Sequence, residues 1–352
     1  MKVLLVESGA AWGTAEVEAG LAVGLATHGV DVVRYRLDVR LARADRWLAH
    51  EWRRAGRPAT KPTIADVMYH ASKDALIAAL REEVDVVVVV AALFFSPDVL
   101  ILMRRAGLHV TLVLTESPYD MGRELEYAAY TSGCWTSERS VVPQLRAVAA
   151  HAGYLPHGWH PLVHRPDPQP GDTDVPAHDV VIVGTGFADR IAWLEAIDWT
   201  GIDLGLYGHW RLPRRSPLRP FLRGRTTANT TAAALYRRAR LGINLYRVRS
   251  SIHDEGPLLT GESLNPRAYE MAACGLPHLS TSRAEVAEVF GDLVPMVTTP
   301  EEGAAAIRAE LARPAVARAA QRTALVDAVA SASWIDRSSI VLADLHRLAP
   351  AA

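Results

Sequence analysis

The stretch GESLNPRAYEMAACGLPHLS, Gly261–Ser280, carries the clearest local structural signal in the chain. Asn265 is a favoured N-cap residue, and Pro266 suits the first helical position because proline lacks the N–H that a helix start leaves unpaired. Gly275 fits the position after a helix, where a left-handed backbone is common. The stretch therefore predicts a short helix over Pro266–Cys274, followed at once by a strand.

Two glutamates flank the start of this predicted helix. Free N–H groups and the helix dipole make a helix N-terminus a site for phosphate. Glu262 precedes the helix, and Glu270 lies roughly 5–6 Å along its axis, about one turn inside. A diphosphate at the helix start would place a ribose beside Glu270 and a sugar beside Glu262. Ser263, Leu264 and Arg267 complete this predicted loop for a sugar nucleotide.

Short β-branched runs alternate with amphipathic helical stretches along the rest of the chain. Several runs are apolar throughout, as expected for strands covered on both faces. The predicted strands are Val3–Val6, Asp31–Tyr35, Val86–Val90, Val110–Leu114, Asp179–Val183, Leu204–Tyr207, Leu241–Leu245 and His278–Ser280. Predicted helices include Ala15–Thr27, Asp66–Arg81, Pro97–Arg105, Glu138–Ala150 and Trp334–Leu348. This alternation favours an α/β protein with parallel, doubly wound sheets.

Prolines divide the chain into two halves. Six of them lie between Pro156 and His178, which is too many for a helix or a central strand. The predicted domains are an acceptor-side domain (1–160), a Pro-rich linker (161–178), a donor-binding domain (179–333) and a C-terminal helix crossing back to the first domain (334–352). Ligands bind at the carboxyl ends of parallel strands, so two Rossmann-like domains facing an interdomain cleft are expected.

Composition narrows the function classes. The 352 residues carry 38 basic and 39 acidic side chains, a formal net charge of −1, which gives no general attraction to nucleic acid or membranes. Only three basic residues are lysines, so few could serve Schiff-base chemistry. Cys134 and Cys274 form no CxxC pattern, which fits a reducing, cytoplasmic compartment. No apolar run reaches the roughly 20 residues of a membrane span.

The Gly261–Ser280 stretch resembles the donor-binding helix of group 1 GT-B glycosyltransferases. It is particularly similar to the CgeB-like branch, whose N-x-R-x-(F/Y)-E…A-C-G pattern runs here from Asn265 to Gly275. The segments YLPHGWHP, DVVIVGTGFADR, DLGLYGHW and GINLYR align in the same order, so the resemblance covers most of residues 150–290. At Glu116 and Ser117 the chain departs from the D-x-P that relatives often carry.

This resemblance implies a GT-B fold and transfer of a sugar from a nucleoside-diphosphate sugar to a hydroxyl acceptor. UDP-sugar is the favoured donor and GDP-sugar the second choice, with no obligatory cofactor or metal and with retention of the anomeric configuration. The acceptor could be a glycan, a small molecule or modified nucleic acid. A nucleotide-sugar epimerase and an inactive GT-B binding module remain as alternatives.

The turn Gly184-Thr185-Gly186 lies between a predicted strand and a predicted helix. Its backbone could approach the donor phosphates, although the same residues are also typical of an ordinary tight turn between a strand and a helix. Asp189 stands where a dinucleotide fingerprint needs its third glycine, which argues against a nicotinamide enzyme.

Arg247 follows the strand GINLY, where a cation can pair with a diphosphate; a surface arginine is the plainer alternative. Arg190 and Arg267 are lesser candidates for that pairing. Gly208, at the end of another strand, would let a base or sugar approach. Tyr207 before it could serve the same site or belong to the core.

The catalytic candidates are Glu262, Arg247, Glu7 and Glu116. The last two follow strands of the first half and are the acceptor-side residues to test. Gly13 lies in a small-residue loop after the first strand that could admit the donor or the acceptor. A structural turn is the equal alternative for this loop.

Two arginine-rich stretches bear on the acceptor. Arg211–Arg225 holds six arginines and no acid, and Arg34–Arg57 holds eight arginines with Trp47 and Trp52 among them. Such runs are usually solvated surface. The sharper hypothesis is an anionic acceptor: modified DNA, a phosphate-containing glycan such as a teichoic-type polymer, or a phospholipid-linked sugar. The three histidines and the Asp172-Thr-Asp174 run of the linker are not predicted to bind metal, because a Pro-rich segment gives no rigid ligand geometry.

Overall fold

The chain divides into two compact units, each built on one parallel sheet. A computed structural model describes residues 1–9, 14–56, 61–224, 228–249 and 258–348. The first unit comprises Met1–Pro156 with Trp334–Ala352, and the second comprises His157–Ser333. The predicted α/β fold with two doubly wound sheets is confirmed.

The first unit contains a six-stranded sheet in the order β2-β1-β3-β4-β5-β6. Its strands are β1 (Lys2–Glu7), β2 (Asp31–Arg36), β3 (Val86–Val90), β4 (His109–Leu114), β5 (Gly133–Thr136) and β6 (Ala152–Tyr154). Its first six helices are α1 (Ala15–Thr27), α2 (Leu37–Arg54), α3 (Ile64–Arg81), α4 (Pro97–Arg105), α5 (Met121–Ala129) and α6 (Val142–Arg146). The five valines of β3 are buried and alternate between two cores, one on each face of the sheet.

The second unit contains a six-stranded sheet in the order β12-β11-β10-β7-β8-β9. Its strands are β7 (Val180–Val183), β8 (Leu204–Tyr207), β9 (Leu222–Gly224), β10 (Leu241–Asn244), β11 (His278–Thr281) and β12 (Met296–Val297). Its helices are α7 (Ala188–Glu195), α8 (Asn229–Arg238), α9 (Pro266–Ala273), α10 (Ala284–Phe290), α11 (Pro300–Ala312) and α12 (Ala315–Ala328). The strand order reverses direction between β7 and β10, which makes their carboxyl ends the topological switch point where ligands bind in such sheets.

The last helix, α13 (Trp334–Leu348), returns to the first unit and packs on α1, as predicted for the C-terminal helix. Glycine allows this close approach, because a Cβ on Gly24 would lie 2.4 Å from the carbonyl oxygen of Trp334. Trp135 of β5 donates a 2.7 Å hydrogen bond to Asp344 of the same helix. The segments entering and leaving the second unit pair with each other, since Trp159 N–H donates to the Ala332 carbonyl at 3.2 Å.

One predicted helix is wrong in extent. Residues 138–150 form a single 3₁₀ turn, Arg139–Val141, and the short helix α6 rather than one long helix. The Glu138 side chain accepts from Ser140 N–H and so begins the turn, and after α6 the chain turns into β6. Among the helices in the described ranges, none combines the length and apolarity that crossing a bilayer requires.

Candidate functional site

The start of α9 lies at the switch point of the second sheet. Asn265 caps the helix as predicted, with its side-chain oxygen accepting from Ala268 N–H at 3.1 Å. Its amide nitrogen donates to the Asn244 side-chain oxygen at the end of β10, at 2.8 Å. A cap of this kind stabilises a helix by about 1 kcal/mol. The two bonds hold the positive end of the helix dipole against the carboxyl end of β10.

The loop before this helix is fixed from α10. Glu285 accepts from Leu264 N–H through its carboxylate, and its own N–H donates to the Glu262 carbonyl oxygen at 3.1 Å. Ser263 and Leu264 are buried, whereas the Glu262 side chain is exposed. The predicted donor loop therefore has a rigid backbone and presents one carboxylate to solvent.

A pocket opens between this helix start and the end of β7. It collects four of the predicted binding residues, namely Gly184, Arg190, Asn265 and Arg267. The pocket is also lined by three polar or aromatic residues that were not predicted from the sequence, namely Trp210, Tyr236 and Asn244. Asn244 ends β10 and Trp210 lies in the turn after β8, and these positions are the signal that could have found them.

The turn after β7 is packed backbone to backbone against the turn after β8. Gly184 N–H donates to the Tyr207 carbonyl at 2.9 Å, and Gly186 N–H donates to the His209 carbonyl at 2.9 Å. Gly208 has a φ of +109°, and a Cβ there would lie 2.2 Å from the Gly184 carbonyl oxygen. The glycine at 208 is thus required by this contact, a reason that differs from the predicted approach of a base or sugar.

Two predicted residues of these turns have structural contacts of their own. A Cβ on Gly186 would lie 2.4 Å from the Trp210 ring, so this glycine packs beneath the tryptophan. Tyr207 is buried and its hydroxyl lies 2.9 Å from His178 Nε2, which agrees with its alternative assignment to the core. The Thr185 carbonyl accepts from Arg190 Nη1 at 2.9 Å, which directs this arginine along the turn.

Arginines concentrate beside the pocket. The Arg190 and Arg247 guanidinium groups lie 5.0 and 5.7 Å from the centre of the Phe187 ring. A ring face attracts cations, so Phe187 draws both guanidinium groups toward the same place. Arg247 thereby lies next to the residues that line the pocket, close to where a diphosphate was predicted.

Glu270 lies on the inner side of α9. Its side chain is 2% exposed and accepts a 2.5 Å hydrogen bond from Arg267 Nη1, whose side chain is 29% exposed. Burial opposes the charged form, but the Arg267 guanidinium outweighs it, and the pKa of the Glu270 carboxyl is lowered. Nearby His164 is fully buried, and burial lowers the pKa of its imidazole to about 4. Glu270 is therefore a charged group, paired with an arginine that itself lines the pocket.

The two acceptor-side candidates lie at the carboxyl edge of the first sheet. Glu7 ends β1, is 1% exposed and pairs with Arg34 at 2.5 Å. Glu116 follows β4 and is half-buried, and its N–H donates to the Glu124 carboxylate at 3.0 Å. Gly13 lies outside the described residues. The Ser8 and Gly9 N–H groups at the start of its loop donate to the buried Glu18 carboxylate.

Glu124 is a residue that sequence reasoning missed. It accepts from the Ser117 hydroxyl as well as from Glu116 N–H, and Ser117 in turn accepts from Thr136 at 2.9 Å. Burial raises the pKa of the Glu124 carboxyl to about 7. The signal for it is a glutamate on the buried face of the amphipathic helix α5. It anchors the loop that carries Glu116.

Asp172 of the linker has a structural role. Asp172 forms a two-fold pair with Arg237 of α8, with both N–O distances at 2.7 Å. In the part of the chain that the structure describes, no group of three histidine, cysteine, aspartate or glutamate side chains is arranged to hold a metal ion.

The six-stranded sheets, their switch points and the flanking helices define the GT-B fold. Residues 190–342 match the model of a protein family described as glycosyl transferase-like. Among solved structures, the chain is similar to the sucrose-phosphate synthase of Thermosynechococcus elongatus, with 14% identity, 98% of each chain covered and a TM-score of 0.64. Curated protein sequences include none that matches the chain.

Two further structures share the fold. One is a UDP-forming α,α-trehalose-phosphate synthase from Burkholderia xenovorans, with 13% identity, 99% of each chain covered and a TM-score of 0.59. The other is a putative UDP-N-acetylglucosamine 2-epimerase from Listeria monocytogenes, with 12% identity, 98% of this chain and 95% of that chain covered and a TM-score of 0.59. At such identities the likeness shows the fold alone. The family match and the GT-B fold together support a GT-B glycosyltransferase.

Proposed function

We propose that the chain transfers a sugar from a nucleoside-diphosphate sugar to a hydroxyl acceptor, with retention of configuration and without an obligatory metal. The observation that carries this proposal is the pocket at the β7–β10 switch point, where the capped start of α9 meets Arg190 and Arg267. A helix N-terminus flanked by guanidinium groups suits a diphosphate. UDP is the favoured nucleotide and GDP the second choice. The Asn265–Gly275 pattern supports placing the chain in the CgeB-like branch.

The proposed chemistry develops negative charge on the leaving diphosphate. The bond from the sugar C1 to the phosphate oxygen breaks as a bond to the acceptor oxygen forms. The α9 dipole, Arg190, Arg247 and the amides of residues 184–186 would stabilise that charge electrostatically. Under retention the acceptor approaches from the side of the leaving group, so the departing phosphate oxygen can take the acceptor proton.

Glu262 before α9 and Glu270 within it would contact different parts of the donor. Exposed Glu262 would face the sugar. Glu270 would accept hydrogen bonds from the ribose hydroxyls, and its partner Arg267, the more exposed member of the pair, would donate to oxygens of the donor. Glu7, Glu116 and Gly13 remain the proposed acceptor-side residues.

The acceptor would be anionic, a phosphate-containing glycan or modified DNA. All five arginines among residues 211–224 are exposed, with no acidic side chain between them. Interaction with a polyanion would weaken steeply as salt rises. A flat salt dependence of acceptor binding would contradict this part of the proposal.

Both cysteines are buried free thiols, which fits the reducing cytoplasm.

The donor site can be tested by thermal shift with nucleoside diphosphates and their sugars in the presence of EDTA. At 100 times Kd a ligand adds roughly 2.7 kcal/mol to the free energy of unfolding. Arg190→Gln should weaken binding roughly 10- to 100-fold, because a charge-assisted phosphate contact contributes about 1.5–3 kcal/mol. The control is Arg308→Gln, a surface arginine of the same unit at 52% exposure. No stabilisation by any nucleotide, or equal losses in both variants, would contradict the site.

Turnover separates the alternatives. A glycosyltransferase consumes the donor only with an acceptor or slowly by hydrolysis, whereas an epimerase converts the donor alone into a second nucleotide sugar. NMR of the donor incubated with the protein distinguishes these outcomes. Donor binding without turnover across an acceptor panel would favour an inactive binding module.

A further inference from the structure

We propose that the outer face of α2 docks the first unit on an anionic phospholipid bilayer. The helix spans 18 residues, and of these only Leu37 and Leu48 are buried. Its outer side is a single face, defined by the residues at 39, 43, 46, 47, 50, 53 and 54, all of which are exposed. We refer to these seven residues as the α2 face.

The α2 face combines cations with apolar groups. It holds Arg43, Arg46, Arg53, Arg54 and His50 and no acidic residue. Of the three acids of this helix, Asp38 and Asp45 lie off this face. Glu51 follows Trp47 by four positions and lies at the margin of the face, 3.6 Å from Arg54 and 4.0 Å from His50. The face therefore attracts anions although the chain as a whole is close to neutral.

An exposed tryptophan favours a membrane over a nucleic acid as the occupant. Trp47 is 53% exposed and Val39 is 38% exposed, on the same side as the arginines. The centres of the Trp47 and His70 rings lie 5.4 Å apart, with the two rings tilted against each other. Tryptophan is enriched at the interface between a bilayer and water, and clustered arginines are attracted to anionic headgroups. Phosphate contacts alone would need no apolar side chain.

The place of α2 in the fold suits this role. The helix begins at Leu37, directly after β2, and therefore at the carboxyl edge of the first sheet, where Glu7 also lies. A docked α2 would hold that edge beside a lipid surface and any acceptor embedded in it. Docking does not rest on the proposed transfer reaction, because it can be measured without donor or turnover.

Co-sedimentation of the full chain with vesicles tests the proposal. The chain should bind phosphatidylglycerol vesicles, bind phosphatidylcholine vesicles far less, and dissociate as salt rises. Arg43→Gln with Arg46→Gln should weaken partition about 30-fold, since each arginine near an anionic surface contributes about a factor of five. Trp47→Ala should also weaken it several-fold.

The matched control is Arg104→Gln with Arg105→Gln, which removes the same charge from the exposed end of α4. Thermal melting of all variants checks that they are folded. The proposal is overturned if phosphatidylglycerol vesicles do not bind, if the control loses as much affinity as the α2 pair, or if Trp47→Ala changes nothing. Binding of duplex DNA that depends on α2, without vesicle binding, would likewise overturn it.

Discussion

Two of the glutamates buried near the carboxyl edges of the sheets, Glu124 in the first unit and Glu270 in the second, have carboxyl pKa values shifted in opposite directions. Glu124 of the first unit accepts only from neutral donors, and burial raises the pKa of its carboxyl. Glu270 of the second unit faces Arg267, which lowers the pKa of its carboxyl. The carboxyl edges of the two parallel sheets therefore differ in their charged groups. The arginines at the edge of the second sheet suit a diphosphate.

The largest expected effect comes from the turn beneath the second edge. Gly208→Ala should destabilise the chain by about 3–5 kcal/mol, the sum of left-handed strain and a clash with the Gly184 carbonyl. Nucleotide stabilisation should be lost with it. Urea unfolding and thermal shift measure both.

Gly201→Ala is the matched control for this change. Gly201 also has a positive φ, +77°, but nothing lies within 4 Å of an added Cβ. Its substitution should cost only about 1–2 kcal/mol and leave nucleotide binding intact. Equal losses at the two glycines would show that backbone strain alone, rather than the contact between the turns, decides the effect.

The charge states of the two glutamates can be separated by pH. The raised pKa of Glu124 means that the folded chain binds an extra proton between pH 4.5 and about 7. Its contribution to the free energy of unfolding therefore falls as pH rises through that window, by on the order of 3 kcal/mol in total. Glu124→Gln should remove this slope in urea titrations at pH 5 and pH 7.5.

Two variants bracket that result. Glu126→Gln, on the exposed side of the same helix, should leave the slope unchanged. Glu270→Gln should act in the opposite sense, because a lowered carboxyl pKa stabilises the fold above the ordinary pKa and that stability is lost as pH falls. A slope that persists in Glu124→Gln would assign the proton uptake to another group.

The two units should also respond separately to a defect at α13. Gly24→Ala places a Cβ 2.4 Å from the Trp334 carbonyl and should cost about 2 kcal/mol, because overpacking exceeds the gain in helix propensity. Gly122→Ala in α5 meets nothing within 4 Å and should be neutral or stabilising. Thermal melts compare the two. Nucleotide stabilisation should survive Gly24→Ala, and its loss would contradict the separation of the units.

The smallest expected effect concerns the α9 cap. Asn265→Ala should lower the free energy of unfolding by about 1 kcal/mol through loss of the cap. Asn265→Asp keeps a capping oxygen but adds a negative charge beside the proposed diphosphate. It should therefore keep the helix cap, lose the hydrogen bond to Asn244, and weaken nucleotide binding at least several-fold. Calorimetric titration of both variants checks this, and equal affinities would place the phosphate elsewhere.

Much of the fold could be predicted because its signals are local. The valine run predicts strand β3, and Asn265 with Pro266 predicts the start of α9, in each case from neighbouring residues alone. Both predictions are confirmed. The strands β5, β6, β9 and β12 were not predicted, since each has two to four residues and depends on a neighbouring strand for its pairing. Helix α2 is missing from the predicted helices because just two of its residues are buried. Its arginine-rich stretch is interpreted instead as solvated surface or as a site for an anionic acceptor.

The candidate site divides in the same way. Gly184, Arg190 and Asn265 could be found from their places after strands and before helices. Tyr236 could not, because it reaches the pocket through the packing of elements far apart in the chain. For Glu124 the sequence offers only its place on the buried face of α5. The pairing of Glu270 with Arg267 was within reach, since residues three apart share a helix face.

The return of α13 has a consequence for synthesis. The second unit ends at Ser333, and its entering and leaving segments pair at Trp159 and Ala332. A ribosome therefore completes the second unit before it has made the helix that covers α1. The first unit is started first but becomes complete only after the second unit, which reverses the usual N-terminal-first order of folding. Until α13 has been made, that helix cannot cover the apolar face of α1, which includes Leu21 and Leu25.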